Sequence, residues 1–113
     1  MTSQEYSIVY SKDFYHDLRE IHQYIAIKLN ALQSANKIVL RICSVADSLA
    51  FMPRRFAVVQ DAKRPEDCKR RAPCGNYGIY YLVIEKKLKV QVLRVIRKGR
   101  DVAKLLNVQD QQS

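Results

Sequence analysis

The sequence predicts an α+β fold: a small twisted antiparallel sheet packed against an N-terminal helical hairpin, in the order β-α-α-β-β-β. Three observations predict it. Two apolar stripes at helical spacing fill the first half of the chain. Two alternating runs rich in β-formers, "NYGIYYLVIE" (76–85) and "KVQVLRVIR" (89–97), lie in the second half. The length, 113 residues, suits one domain over 1–113, in which a helical hairpin is long enough to cover one sheet face.

The elements follow in order. "EYSIVYS" (5–11) alternates and reads as a short first strand. Ser11 is a helix N-cap, and Asp13 favours the first turn. Phe14, Leu18, Ile21, Ile25 and Leu29 then mark one face of a helix over about 12–29, with Asp17, Glu20, Gln23 and Lys28 lying elsewhere on it. "LNALQS" (29–34) interrupts the pattern. A second stripe runs through Ala35, Ile38, Val39, Ile42, Val45, Ala46 and Leu49, and Pro53 stops it. Both stripes read as core. Residues 53–68 read as an irregular connection with one turn of structure, because Pro65 and its charged neighbours argue against a central strand. "CKRRAP" (68–73) is a third candidate strand. "KKL" turns the final hairpin. In "VQVLRVIRKGRD" (90–101), Arg94 alternates with Val92 and Ile96, and the strand ends in a cluster of cations at the sheet's rim. "GRDVAKLLNV" (99–108) reads as a short helix or ordered arm. The ordered core is expected over 5–106, with 109–113 frayed.

Composition narrows the function. No apolar run approaches a membrane span, and the first ten residues lack a signal peptide's layout, so the cytoplasm is the expected location. Cys43, Cys68 and Cys74 are odd in number and lack zinc spacing. His16 and Glu20 are four apart, a spacing compatible with a metal, and a solvated pair is the simpler reading. No metal and no cofactor are expected.

Charge is divided unevenly. Residues 1–53 hold five basic and five acidic residues. Residues 54–104 hold fifteen basic against five acidic, a net of +10. Such asymmetry points to an anionic partner.

Three stretches carry a resemblance. "YSIVYSKDFYHDLREIHQYI", "SLAFMPRRF" and "NYGIYYLVIEKKLKVQVLRVIRKGRD", together spanning about 5–106, resemble the RelE/ParE superfamily of bacterial type II toxins. The resemblance implies a cytoplasmic growth inhibitor held inactive by a cognate antitoxin, with a higher-order toxin–antitoxin heteromer among the possible assemblies. It implies one of two targets. RelE-like members cut messenger RNA on the ribosome, and ParE-like members poison DNA gyrase without being enzymes.

Residue chemistry leans toward the second branch. RNA cleavage by 2′-hydroxyl attack needs a proton acceptor and cations for the phosphorane. RelE-like toxins commonly carry an arginine after the tyrosine that opens this strand; here Gly78 follows Tyr77. No tyrosine or histidine follows Tyr81, and arginine cannot serve as a base. The extended hairpin over 12–51 also resembles ParE-like members. If the chain were a nuclease, the candidates for its chemistry would be Lys69, Arg71, Tyr77, Arg97 and Lys98, with Arg97 or Lys98 matching the basic residue that follows the family's last strand. Target and antitoxin binding would fall on Arg70, Arg71, Arg94, Arg97, Lys98, Arg100 and Lys104. A basic nucleic-acid-binding module ranks third, because no helix-turn-helix, KH or aromatic RNA-binding motif is present.

Overall fold

A computed structural model describes residues 4–106. Strand β1 (Ser7–Tyr10) leads into helix α1 (Lys12–Gln23), which continues through a wider π-helical turn, Tyr24–Lys28. Helix α2 (Leu32–Asp47) returns and ends in a 3-10 turn, Ser48–Ala50. A second such turn (Pro53–Arg55) precedes β2 (Val58–Gln60). Strands β3 (Lys69–Cys74), β4 (Tyr77–Ile84) and β5 (Lys89–Arg97) follow. A last helical turn, α3, covers 102–106.

The five strands form one sheet in the order β1-β5-β4-β3-β2. The α+β class and the helical hairpin stand as expected, and two details differ. The connection after Pro53 contains an edge strand, β2, too short for an alternating pattern to show. β1 pairs with β5 in parallel, Ser7 opposite Lys89 through Tyr10 opposite Val92, while the other strand pairs are antiparallel. Parallel neighbours need a long crossover, and the two helices lie within the chain that separates β1 from β5.

The hairpin packs on one sheet face. Phe14, Ile42, Ala46 and Leu49 from the helices meet Ala72, Ile79, Tyr81, Val83, Val90, Val92 and Val95. Tyr81 is fully buried, and its hydroxyl donates to the Pro53 carbonyl at 2.5 Å. Ile79, Tyr81 and Val83 share this face as alternation predicts. On the opposite face Leu106 of α3 seals a smaller cluster with Tyr80 and Ile96.

Alternation fails in β5. Tyr81 faces Val92 and Tyr80 faces Arg94, so Leu93 is an extra residue, a β-bulge. It brings Val92 and Val95, three apart, into the same core. Straight alternation would have put Val92 with Arg94. Ser11 stands beside the bulge: its hydroxyl donates to the Leu93 carbonyl and accepts from the Phe14 amide at 3.0 Å, capping α1.

Beyond Tyr10, β1 ends and β5 continues without that neighbour. Asp17 of α1 takes the place of a strand there. Its Oδ2 accepts from Val95 N–H at 3.1 Å and from Arg94 Nε at 2.7 Å, and its Oδ1 accepts from Arg94 Nη2 at 2.8 Å. Asp17 is 6% exposed, although it reads from sequence as part of the polar face.

The helix boundaries also differ. In the π turn, Leu29 N–H bonds Tyr24 O at 3.2 Å, five residues back. The wider turn rotates the following residues, so Leu29, counted in the apolar stripe, is 56% exposed. The break spans only Leu29–Ala31, with Asn30 left-handed at φ 51°.

Two outcomes follow. Asp17→Ala leaves Arg94 charged and unpaired in a confined place, and should cost about 3–5 kcal/mol in urea unfolding. A loss under about 1 kcal/mol would mean the pair is replaceable by water. Burial pushes the Tyr81 phenol up to about 12. The folded state therefore holds this proton where the unfolded chain releases it, so stability should fall as pH rises from about 10 to 12. That fall should be shallower in Tyr81→Phe, measured by unfolding at alkaline pH.

Candidate functional site

β5 leaves the core at Ile96, which is 4% exposed, and the next four residues, Arg97 through Arg100, are all exposed. The segment is held by its backbone. Lys98 N–H donates to Asn76 O at 2.7 Å, and Arg100 N–H to Arg97 O at 3.3 Å. Gly99 has φ 94°, a conformation open mainly to glycine. Asp101 Oδ1 accepts from Lys104 N–H at 3.2 Å, capping α3, whose Leu106 anchors it to the sheet. Arg97, the last residue of β5, and Lys98 and Arg100 of the short loop after it are thus presented by a backbone fixed at both ends. Lys104 is exposed on α3.

Beside this loop lies a cleft of about 600 Å³. The end of α1 and the π turn supply Tyr24, Ile27 and Lys28; the sheet supplies Tyr77, Arg97 and Ile96, with Arg100 and Leu105 on the far wall. Tyr77 pairs with Arg97 across the β4–β5 ladder. Burial raises the Tyr77 phenol above its ordinary value, Arg97 lowers it in part, and Tyr24 adds to the rise. Tyr77 therefore keeps its proton near neutrality, where it can donate a hydrogen bond and is a poor base.

The other sequence-derived residues separate by position. Arg94 is bound to Asp17, which raises its affinity for its own proton, so its charge is matched within the fold. Arg70 donates to the carbonyls of Phe56 at 2.7 Å and Arg54 at 3.2 Å, fastening the chain before β2. Lys69 is 6% exposed and lines a second cavity of about 760 Å³ with Asp61, Asp67 and Gln91. It stands at the far end of β3 from the rim.

Arg71 explains Gly78. Its guanidinium lies over the glycine so closely that a Cβ there would be 2.3 Å from Nε and 2.9 Å from Cζ. Arg71 faces Tyr80 in the ladder, so its side chain lies over Gly78 on the Tyr80 face, opposite the face that Tyr77 shares with Ile79 and Tyr81. A cation is present above this strand, and it arrives from β3.

Sequence reasoning missed Tyr24, Ile27 and Lys28 because the π turn displaces them. An aromatic and an apolar residue outside the stripe were the available signal. Among the described residues no group of three or more His, Cys, Asp or Glu could hold a metal, and no helix is long and apolar enough to cross a membrane.

Residues 8–102 match the profile of the ParE toxin of type II toxin–antitoxin system, parDE. The chain belongs to the ParE toxin family. Solved structures share this toxin's fold. The chromosomal ParDE system of P. aeruginosa aligns with a TM-score of 0.67 at 18% identity, covering 86% of this chain and 100% of that one. The archaeal RelE–RelB complex of Pyrococcus horikoshii OT3 gives 0.61 at 19%, covering 85% and 98%. The RelBE2 toxin–antitoxin complex of Mycobacterium tuberculosis gives 0.59 at 19%, covering 85% and 94%. A search of curated proteins finds no match.

The Arg71–Gly78 contact makes a definite prediction for this toxin. Gly78→Ala should displace the guanidinium, the far end of a flexible side chain, and cost no more than about 1 kcal/mol. Arg71→Ala in the same chain should recover much of that loss. Equal destabilisation in the single and double variants, by thermal unfolding, would show the two sites to be independent.

Proposed function

We propose that this ParE-family toxin works in the cytoplasm by binding DNA gyrase through its basic rim, as a non-enzymatic poison, and is neutralised by a cognate antitoxin. One observation carries the reading. Arg97, Lys98 and Arg100 project together from a backbone-fixed strand end and loop, while the nearest phenol, Tyr77, holds its proton and the next residue on its strand is Gly78. A rigid cationic projection suits recognition of an anionic surface or a nucleic-acid backbone. Attack by a 2′-hydroxyl needs a free base, and the carboxylates that line the cleft, Asp17 and Glu20, are engaged by Arg94 and His16. The ParDE and RelBE relatives support an antitoxin partner, and an acidic segment would complement the net +10 of residues 54–104.

A second reading has its own support. Tyr77 faces Arg97, and both line the cleft. A protonated tyrosine beside a cation can assist a leaving oxygen, which keeps messenger RNA cleavage as the alternative.

The readings separate cleanly in assays. The purified toxin should inhibit supercoiling by gyrase and leave ribosome-bound messenger intact. Codon-positioned cuts with gyrase unaffected would transfer the function to the second reading. Arg97→Ala combined with Arg100→Ala should abolish growth arrest while leaving the circular dichroism spectrum unchanged. Full toxicity in that variant would reduce these cations to solubilising charge.

A further inference from the structure

The tip of the helical hairpin carries apolar side chains that the core does not use. Ile27 is 74% exposed, Leu32 59% and Tyr24 49%, and Leu29 is exposed with them. The π turn produces this display. Leu29 N–H bonds Tyr24 O and Ala31 N–H bonds Ile25 O, so the chain widens just before it reverses at the left-handed Asn30. Ile25 keeps its place in the interior, while Ile27, two residues on, is turned out. Single π turns within α-helices are frequent at functional sites.

The charge around the tip has one sign. Between Glu20 and Asp47 the sequence holds Lys28, Lys37 and Arg41 and no acidic residue. Across the cleft stand Arg97 and Arg100. The acidic residues of the cleft are engaged, Asp17 by Arg94 at 2.7 Å and Glu20 by His16 at 2.9 Å. Lys28, Arg97 and Arg100 make no ion pair among the described residues. Unmatched cations therefore stand on both sides of the cleft, with Tyr24 and Ile27 on one wall and Leu105 on the other. At about 600 Å³ the cleft is of ligand-binding size.

These features select an occupant. Like charge disfavours a second copy of the chain. A phosphate backbone would satisfy the cations and leave Ile27, Leu29 and Leu32 in water. An acidic protein segment with a bulky apolar side chain satisfies both, as in an interface with an apolar centre and a charged rim.

We propose that the target docks an acidic segment here, its apolar side chain seated between Tyr24, Ile27 and Leu105 and its carboxylates on Lys28, Arg97 and Arg100. The proposal rests on the reading of gyrase as the target and adds the hairpin tip to the rim as a second, apolar determinant. The cations of the rim then govern approach, and the tip governs how long the complex lasts.

Purified gyrase is the probe, read by supercoiling in the presence of the toxin. Ile27→Asp places a carboxylate where the segment brings its own, and Ile27→Ser removes the apolar side chain without adding charge. Both replace an exposed side chain, and circular dichroism with thermal unfolding checks the fold. Each should raise the toxin concentration for half-inhibition about tenfold or more. Lys28→Glu should weaken inhibition as well, and its loss should shrink as salt rises. Wild-type potency in all three variants, with inhibition abolished in Arg97→Ala combined with Arg100→Ala, overturns the proposal and leaves the gyrase reading standing. A loss of binding to naked duplex DNA that matches the loss of inhibition assigns the tip to nucleic acid and overturns it too. A wild-type toxin that leaves gyrase untouched overturns the target reading, and this proposal with it.

Discussion

One carboxylate stands where a strand is missing. β1 covers β5 only as far as Val92, and beyond that point Asp17 receives the Val95 amide and both nitrogens offered by Arg94. Three charge-assisted hydrogen bonds on one buried group fix the crossing of α1 over β5. The bulge at Leu93, the Ser11 cap and this pair form one continuous joint. Through it the end of α1 is held over the last turn of the sheet, and the cleft between them exists because that joint is rigid. A buried ion pair contributes little net stability compared with a well-packed apolar replacement. Its value here is positional, because an apolar side chain could not satisfy the Val95 amide.

The local joint explains which parts of the fold were legible in the sequence. The stripes on α1 and α2 and the alternation of β4 are long and regular, so their pattern survives averaging over many residues. Features set by one residue were not legible. The bulge depends on where β1 stops, and β1 and β5 are distant in sequence. The π turn shifts Leu29 into solvent with no breaker to announce it. β2 has three residues, fewer than a period-two pattern needs. For the site, the cations at 97, 98 and 100 were readable because they follow a strong strand. The opposite half of the cleft, with Tyr24 and Lys28, comes from a turn whose geometry the sequence does not declare.

The concentrated charge of the second half resolves into two populations. Arg55, Arg70 and Arg94 act as structural ties, directing their guanidinium groups to carbonyls or to Asp17. These arginines use planar, multi-donor geometry that lysine would reproduce poorly. Arg97, Lys98 and Arg100 project from an exposed strand end and loop. A count of basic residues therefore overstates the electrostatic surface, and the arrangement at the rim is the more informative quantity.

The packing of Arg71 over Gly78 ties two neighbouring strands to one shared volume. With Arg71 where it lies, a methyl group at position 78 would meet Nε at 2.3 Å, so any side chain there requires the guanidinium to swing aside. A change on β4 is therefore read out first in where the cation of β3 lies.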